Sequence, residues 1–252
     1  MSNISRTLSA ALFIVFLMGV SIPAVEAAGA NEAAPVFVRL KTEPGEMLGV
    51  FYPELAPHHV QSFIHLVRSG FFTGTKFHRI VPGFVIQGGD PLSKDMDPRN
   101  DGTGGPKLSD VLSGDDAQLL KDFNAMLNAR GYVEVDSEAL LKAEFSKTVK
   151  HIRGTLSMAR GRPVDSAGSQ FFVCVANAPA LDGQYTAFGY VFKGMETADI
   201  IVGAEKNPAA GRDAPAIPVV ILSAEIIEGV DGLSDDEKAA WDLVPANLRN
   251  VK

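Results

Sequence analysis

Cysteine is nearly absent from this chain of 252 residues, and Cys174 is the only one. No intrachain disulfide can therefore brace the fold, even in an oxidising compartment. The flanks of Cys174, Phe-Phe-Val and Val-Ala, mark it as a buried structural thiol. Positive charge is also short: 23 Lys and Arg stand against 30 Asp and Glu, a net charge of -7. A chain without a basic footprint is a poor partner for nucleic acid. The apolar run Leu8 to Val20 is too short for a membrane span, which needs about 20 apolar residues, and Gly19, Ser21 and Pro23 interrupt its end. Arg6 before this run and Val25-Glu26-Ala27 after it form the pattern of a cleavable export signal over residues 1–27. An uncleaved membrane anchor is the alternative.

Removing 27 residues leaves 225, enough for one domain with a sizeable core. Strand-like runs are expected at Val36–Leu40, Met47–Phe51, Lys76–Ile80, Phe84–Gln87, Gly154–Ala159, Gln170–Val175, Thr186–Phe192 and Pro218–Ile227. In "APHHVQSFIHLVRSG", Val60, Phe63, Ile64 and Val67 recur at helical spacing between Pro57 and Gly70. A second helix runs from Gly194-Met195-Glu196 through Val202. Many strands and two helices in one domain, residues 35–230, predict a mainly β fold: a closed antiparallel barrel with helical caps.

Residues 108–145 break this pattern and read as a helical insertion. Leu119, Leu120, Phe123, Met126 and Leu127 share a helical face, and a shorter helix near Asp136 is expected to carry Leu140, Leu141 and Phe145. The apolar face either packs on the barrel or docks a partner. Residues 231–252 read as a polar tail.

The common site chemistries find little support. His58 and His59 are adjacent and diverge by about 100° on a helix, and His65 misses the i, i+3 or i, i+4 spacing of helical metal pairs. His78 and His151 lack a set of ligands nearby in sequence. Asp95, Asp97 and Asp101 could suggest calcium, but the loop lacks the closing glutamate and contains Pro91 and Pro98, so a solvated loop is expected. No G-x-S-x-G elbow occurs, Ser166 and Ser169 have no base nearby in sequence, and "GTGGP" lacks the following Gly-Lys-Ser/Thr of a phosphate loop. Neither a metal nor a cofactor is expected.

Arg79, Gln87 and Gln170 lie among Phe84, Phe171 and Phe172. Gln170 shares strand parity with Phe172, as Gln87 does with Val85, so each strand can present an amide beside an apolar side chain on one face. That combination suits a peptide-binding groove. It equally describes ordinary polar residues edging a sheet over a phenylalanine core.

The stretches Phe77-His78-Arg79-Ile80, Pro82-Gly83-Phe84, Ile86-Gln87-Gly88-Gly89-Asp90, Gly154-Thr155-Leu156-Ser157-Met158-Ala159, Ser169-Gln170-Phe171-Phe172, Leu181-Asp182-Gly183 and Phe188-Gly189 together resemble the cyclophilin family of peptidyl-prolyl cis-trans isomerases. The similarity runs from about Pro35 to Gly229, apart from the insertion. It implies an eight-stranded antiparallel barrel capped by two helices, with a groove on its outer face that binds proline-containing polypeptides. Carried over by position, Arg79 is the catalytic arginine, Phe84, Phe172 and Leu181 form the proline pocket, and Gln87 and Gln170 contact substrate backbone. Val85 and Tyr185 occupy pocket positions. Ala159 and Arg160 match a substrate contact made largely through backbone, and His78 is a structural side chain.

Ala180 departs from the many eukaryotic relatives that carry tryptophan there, which implies weak cyclosporin binding. The resemblance, with the export signal, implies a monomeric isomerase or peptide-binding chaperone acting on unfolded exported proteins. The short hydrophobic region and bacterial-looking loops favour a periplasm, with secretion or membrane anchoring as alternatives.

Overall fold

A computed structural model describes residues 34–251 apart from 132–135, 208, 210, 212 and 250. The expected export signal lies outside the described residues. The first strands, β1 (Val36–Thr42) and β2 (Glu46–Phe51), form a hairpin, and α1 (Pro57–Arg68) follows. Short strands β3 (Lys76–Phe77), β4 (Arg79–Val81) and β5 (Val85–Gly88) precede the insertion helices α2 (Leu108–Val111) and α3 (Asp115–Ala129). Next come β6 (Thr155–Arg160), β7 (Ala167–Cys174), β8 (Ala187–Lys193), α4 (Met195–Val202) and β9 (Val219–Glu228), then α5 (Asp235–Asp242) and α6 (Ala246–Arg249).

Among the described residues the strands form one antiparallel sheet in the order β3-β9-β1-β2-β8-β6-β7-β5-β4. Its two ends are neighbours in sequence. The run expected as one strand from Lys76 to Ile80 is divided at His78: Lys76 and Phe77 pair with β9, whereas Arg79 to Val81 pair with β5. One interrupted run thus serves both edges and brings the sheet almost to closure, which is how nine strands realise the expected eight-stranded barrel.

Strand alternation separates two apolar faces. Ile86, Leu156, Met158, Phe171 and Val173 point into the main core. There α1 inserts Phe63, whose ring meets Phe51, Phe72, Phe171 and Phe188 at centroid distances of 4.6 to 5.7 Å. The intervening residues Val85, Ala159, Phe172 and Cys174 form a separate cluster outside the barrel wall.

The insertion differs from expectation in two ways. Residues 136–146 contain no helix: Ala139 N–H donates to the Pro106 carbonyl (2.8 Å) and Leu141 N–H to the Ala167 carbonyl (2.8 Å). These partners hold an extended strap along the barrel, overriding the local helical spacing of Leu141 and Phe145. Helix α3 forms as expected, but three of the five residues on its apolar face stay in solvent: Leu119 is 69% exposed, Phe123 46% and Met126 40%.

The strap ends in an unanticipated cap for α1. Ala56 at the N-cap offers no side-chain acceptor, and the Glu144 carboxylate receives the His58 and His59 backbone N–H groups at 3.2 and 3.1 Å. Both imidazole Nδ1 atoms also lie 2.7 Å from it. Burial raises the Glu144 pKa, but these hydrogen bonds outweigh it and hold the group below the usual carboxylate range.

Residues 231–252 are not simply a polar tail either. Ser234 and Glu237 form a capping box at α5, and Trp241 packs edge-on against Phe37 at 5.0 Å, beside buried Leu233 and Val244.

Candidate functional site

The outer cluster is built where β5, β7 and β6 lie side by side. Register places Gln87 opposite Phe172, Val85 opposite Cys174 and Ser157 opposite Phe172. Phe172 and Val85 thereby form a buried floor with Ala159, while Phe84 and Tyr185 are half-buried at its edge. Leu181 arrives on a short 3-10 turn, Pro179–Leu181, and Tyr185 N–H bonds back to its carbonyl at 3.2 Å. Tyr185 meets Phe172 edge-to-face at 5.7 Å. Six of the expected site residues thus share one apolar patch, with Phe84 and Tyr185 its more exposed members.

The polar residues form a row beside it. Arg79 on β4 faces Gln87 on β5, and its Nη1 donates to Gln87 Oε1 at 3.3 Å. Gln87 Nε2 donates to Gln170 Oε1 at 3.0 Å, and Gln170 Nε2 to the Gly104 carbonyl at 2.8 Å. Gly104 is delivered by the loop after β5. At its start Gly89 has φ 84°, and a Cβ there would lie 2.6 Å from the Ser169 carbonyl, so glycine is required. The loop is largely exposed, as expected, and folds around Asp90, whose buried carboxylate accepts from the N–H groups of Leu92, Gly102 and Gly104. Among the described residues no group of three or more His, Cys, Asp or Glu side chains is placed to hold a metal ion.

Arg160 borders the patch, but its side chain turns to the protein: Nε and Nη2 donate to the Gln184 carbonyl at 3.1 and 3.0 Å, and the guanidinium lies 4.7 Å from the Tyr185 ring centroid. It pins the turn that carries Leu181 and Tyr185. His78, one residue before Arg79, is buried, and burial lowers its pKa despite the nearby Asp90 charge.

His151, Asp182 and Ser157 lie behind the patch and escaped the sequence reading. His151 stacks on Phe172 with centroids 6.1 Å apart, its Nδ1 3.2 Å from Asp182 Oδ1 and its Nε2 3.0 Å from Ser157 Oγ. Burial pushes the His151 pKa down against the opposing pull of Asp182. Ser157 Oγ, fully buried and out of reach of substrate, donates to the Thr186 carbonyl at 2.9 Å. The chain buttresses the Phe172 ring. Its signal was present in the Leu181-Asp182-Gly183 stretch, but the partner lies 31 residues away.

Comparison with known proteins agrees with this arrangement. The family described as "Cyclophilin type peptidyl-prolyl cis-trans isomerase/CLD" matches residues 37–226. A protein named "Probable peptidyl-prolyl cis-trans isomerase" from Brucella abortus is 36% identical over 219 residues, covering 82% of this chain and 93% of its own. "Peptidyl-prolyl cis-trans isomerase A" of Dickeya dadantii is 36% identical over 197 residues, covering 76% and 84%. A crystal structure of a Cryptosporidium parvum cyclophilin type peptidyl-prolyl cis-trans isomerase, in the presence of the dipeptide Ala-Pro, superposes with a TM-score of 0.58 at 25% identity, covering 76% of this chain and 98% of that one. A barrel sheet with an apolar patch beside an arginine–glutamine row, and a family match spanning nearly all the strands, lead to one assignment: the chain belongs to the cyclophilin-type peptidyl-prolyl cis-trans isomerases.

Proposed function

We propose that this isomerase acts on Xaa-Pro bonds of exported polypeptides, with the proline ring seated on Phe84, Phe172 and Leu181 and Arg79 as the catalytic donor. The observation that carries the reading is the Arg79 guanidinium held in a row with Gln87 and Gln170 along the edge of that patch.

The uncatalysed rotation crosses a barrier of roughly 18–20 kcal/mol because it breaks amide resonance. In the twisted state the prolyl nitrogen regains a basic lone pair. A donor aimed at that nitrogen binds the twisted amide better than either planar isomer, which lowers the barrier. Guanidinium suits the task because it stays charged and does not surrender its proton. A charge-assisted hydrogen bond contributes about 1.5–3 kcal/mol, roughly ten- to a hundredfold in rate. The apolar patch supplies the rest by holding the ring and excluding water, while the Gln87 and Gln170 amides and the backbone at Ala159 and Arg160 hold the peptide on either side. Arg79→Ala is expected to reduce kcat/KM for a short Xaa-Pro peptide ten- to a hundredfold with the fold intact. Unchanged turnover would overturn the role of Arg79.

Export is supported by the amino-terminal pattern of Arg6, the run Leu8–Val20 and Ala27. With similarity to Brucella and Dickeya proteins, it favours a bacterial periplasm. Intact mass of the native protein in an osmotic-shock fraction tests both points: a mass that includes residues 1–27 would overturn cleavage. Ala180 beside Leu181 leaves the pocket rim small, so weak cyclosporin inhibition is expected.

A second reading, a holding chaperone with incidental isomerase activity, is favoured by the exposed Leu119, Phe123 and Met126 on α3. It requires that suppression of client aggregation persist in Arg79→Ala.

A further inference from the structure

Arg79 is held from two sides. One is the Gln87 amide; the other is Asp213, carried by the segment between α4 and β9. Asp213 Oδ2 lies 3.6 Å from Arg79 Nε, and its other oxygen accepts from Lys206 Nζ at 3.1 Å. The segment is itself fastened down. Ile80 N–H, the residue after Arg79, donates to the Asp213 backbone carbonyl at 2.8 Å. Asn207 N–H donates to the Ala214 carbonyl at 2.8 Å and Ala216 N–H to that of Glu205 at 2.7 Å, around a bridge between Lys206 and Pro215. Asp213 is thus fixed by backbone bonds independent of its carboxylate, and the carboxylate meets an arginine that is 39% exposed in its side chain.

We propose that Asp213 is a positioning residue for the isomerisation: it restrains the Nε side of the Arg79 guanidinium while Gln87 holds Nη1, so that the fork keeps one orientation at the groove. This inference rests on the reading of Arg79 as the catalytic donor. A guanidinium is a rigid planar fork on a long flexible stem, and ordering that stem costs rotamer freedom. The 3.3 Å contact to Gln87 restrains one nitrogen and leaves the plane free to turn about it. The Asp213 carboxylate 3.6 Å from Nε adds an electrostatic restraint on that turn. Lys206 on the far oxygen offsets part of the carboxylate charge, so Arg79 keeps its field at the groove while its orientation is restrained.

A double-mutant cycle tests the assignment, with kcat and KM measured separately for a short Xaa-Pro peptide on the full chain. An ion pair of this exposure is worth at most about 1 kcal/mol, close to fivefold. Asp213→Ala is therefore expected to lower kcat roughly three- to fivefold with KM changed less than twofold. Asp213→Asn, which keeps an acceptor near Nε, should fall between it and wild type. In the Arg79→Ala background, Asp213→Ala should have no further effect, because Asp213 acts through the guanidinium. The Arg79 Nε–H resonance should shift and exchange faster with solvent in Asp213→Ala. Wild-type kcat in Asp213→Ala, or an equal further loss without Arg79, would overturn the proposal. A wild-type rate in Arg79→Ala itself would instead overturn the reading on which it stands.

Discussion

Of the regions that carry apolar side chains outside the main core, two are built in opposite ways. On the β5–β7–β6 face, Phe172 is 4% exposed, with His151 against its ring and Tyr185 at its edge, and Gln87 and Gln170 are bonded to each other alongside. On α3, Leu119 is 69% exposed and Phe123 46%. The first surface is pre-formed: its apolar atoms are already shielded and its polar atoms already directed, so a small ligand meets little reorganisation. The second offers area without shape. A surface of that kind suits loose contact with partly unfolded chain more than recognition of a single proline.

The contrast can be broken or sharpened by a graded series. Phe172→Ala removes the floor of the groove and should destabilise the fold by about 3 kcal/mol in denaturant unfolding, because a buried ring leaves a cavity between His151 and Val85. A loss below about 1 kcal/mol would mean that the patch is softer than its packing indicates. Arg79→Ala should cost roughly 1.5–3 kcal/mol of transition-state stabilisation while leaving the melting temperature near wild type. Glu144→Ala tests the junction of the two regions. Loss of the cap and of the partner for buried His59 Nδ1 should lower stability by about 2 kcal/mol, with kcat/KM little changed.

Acid should act on the same junction. His59 and His151 have pKa values depressed by burial, partly opposed by Glu144 and Asp182, so the folded state binds fewer protons than the unfolded one. Their contribution is complete above the unfolded value of about 6.5 and is lost as pH falls below it toward the lower folded values. Glu144 and Asp182, also depressed, add to the loss at lower pH. The melting temperature should therefore be lower at pH 5 than at pH 7.5, and the reverse order would contradict these signs. The smallest effect is expected from replacing residues 113–131 with a short flexible linker: within about 1 kcal/mol in stability and no loss of isomerisation of a short peptide, since the apolar residues removed are largely exposed.

Much of the groove was legible because β5 and β7 obey a period of two. Val85 with Gln87, and Gln170 with Phe172, read correctly as same-face pairs from order alone. The α1 helix was equally clear from Val60, Phe63 and Val67 between a proline and a glycine. What failed depended on distant partners. The strap looked helical because Leu141 and Phe145 are four apart, yet its backbone bonds go to Pro106 and Ala167. His151 looked isolated because Asp182 is brought to it only by folding. Asp213 drew no attention, since an aspartate in a Gly- and Pro-rich segment has no local reason to meet an arginine more than a hundred residues earlier. The carboxy-terminal segment did contain a readable signal: Ser234 and Glu237 have capping-box spacing, and Trp241 lies beyond them.

The single thiol gains a use from its place under the groove. Cys174 is fully buried opposite Val85, and burial pushes its pKa up to about 12, so the reactive thiolate is scarce at neutral pH. An alkylating reagent can reach it only when β5 and β7 part or the pocket floor lifts. Its labelling rate therefore clocks the opening of the binding face, with no introduced probe and no second cysteine to confuse the signal.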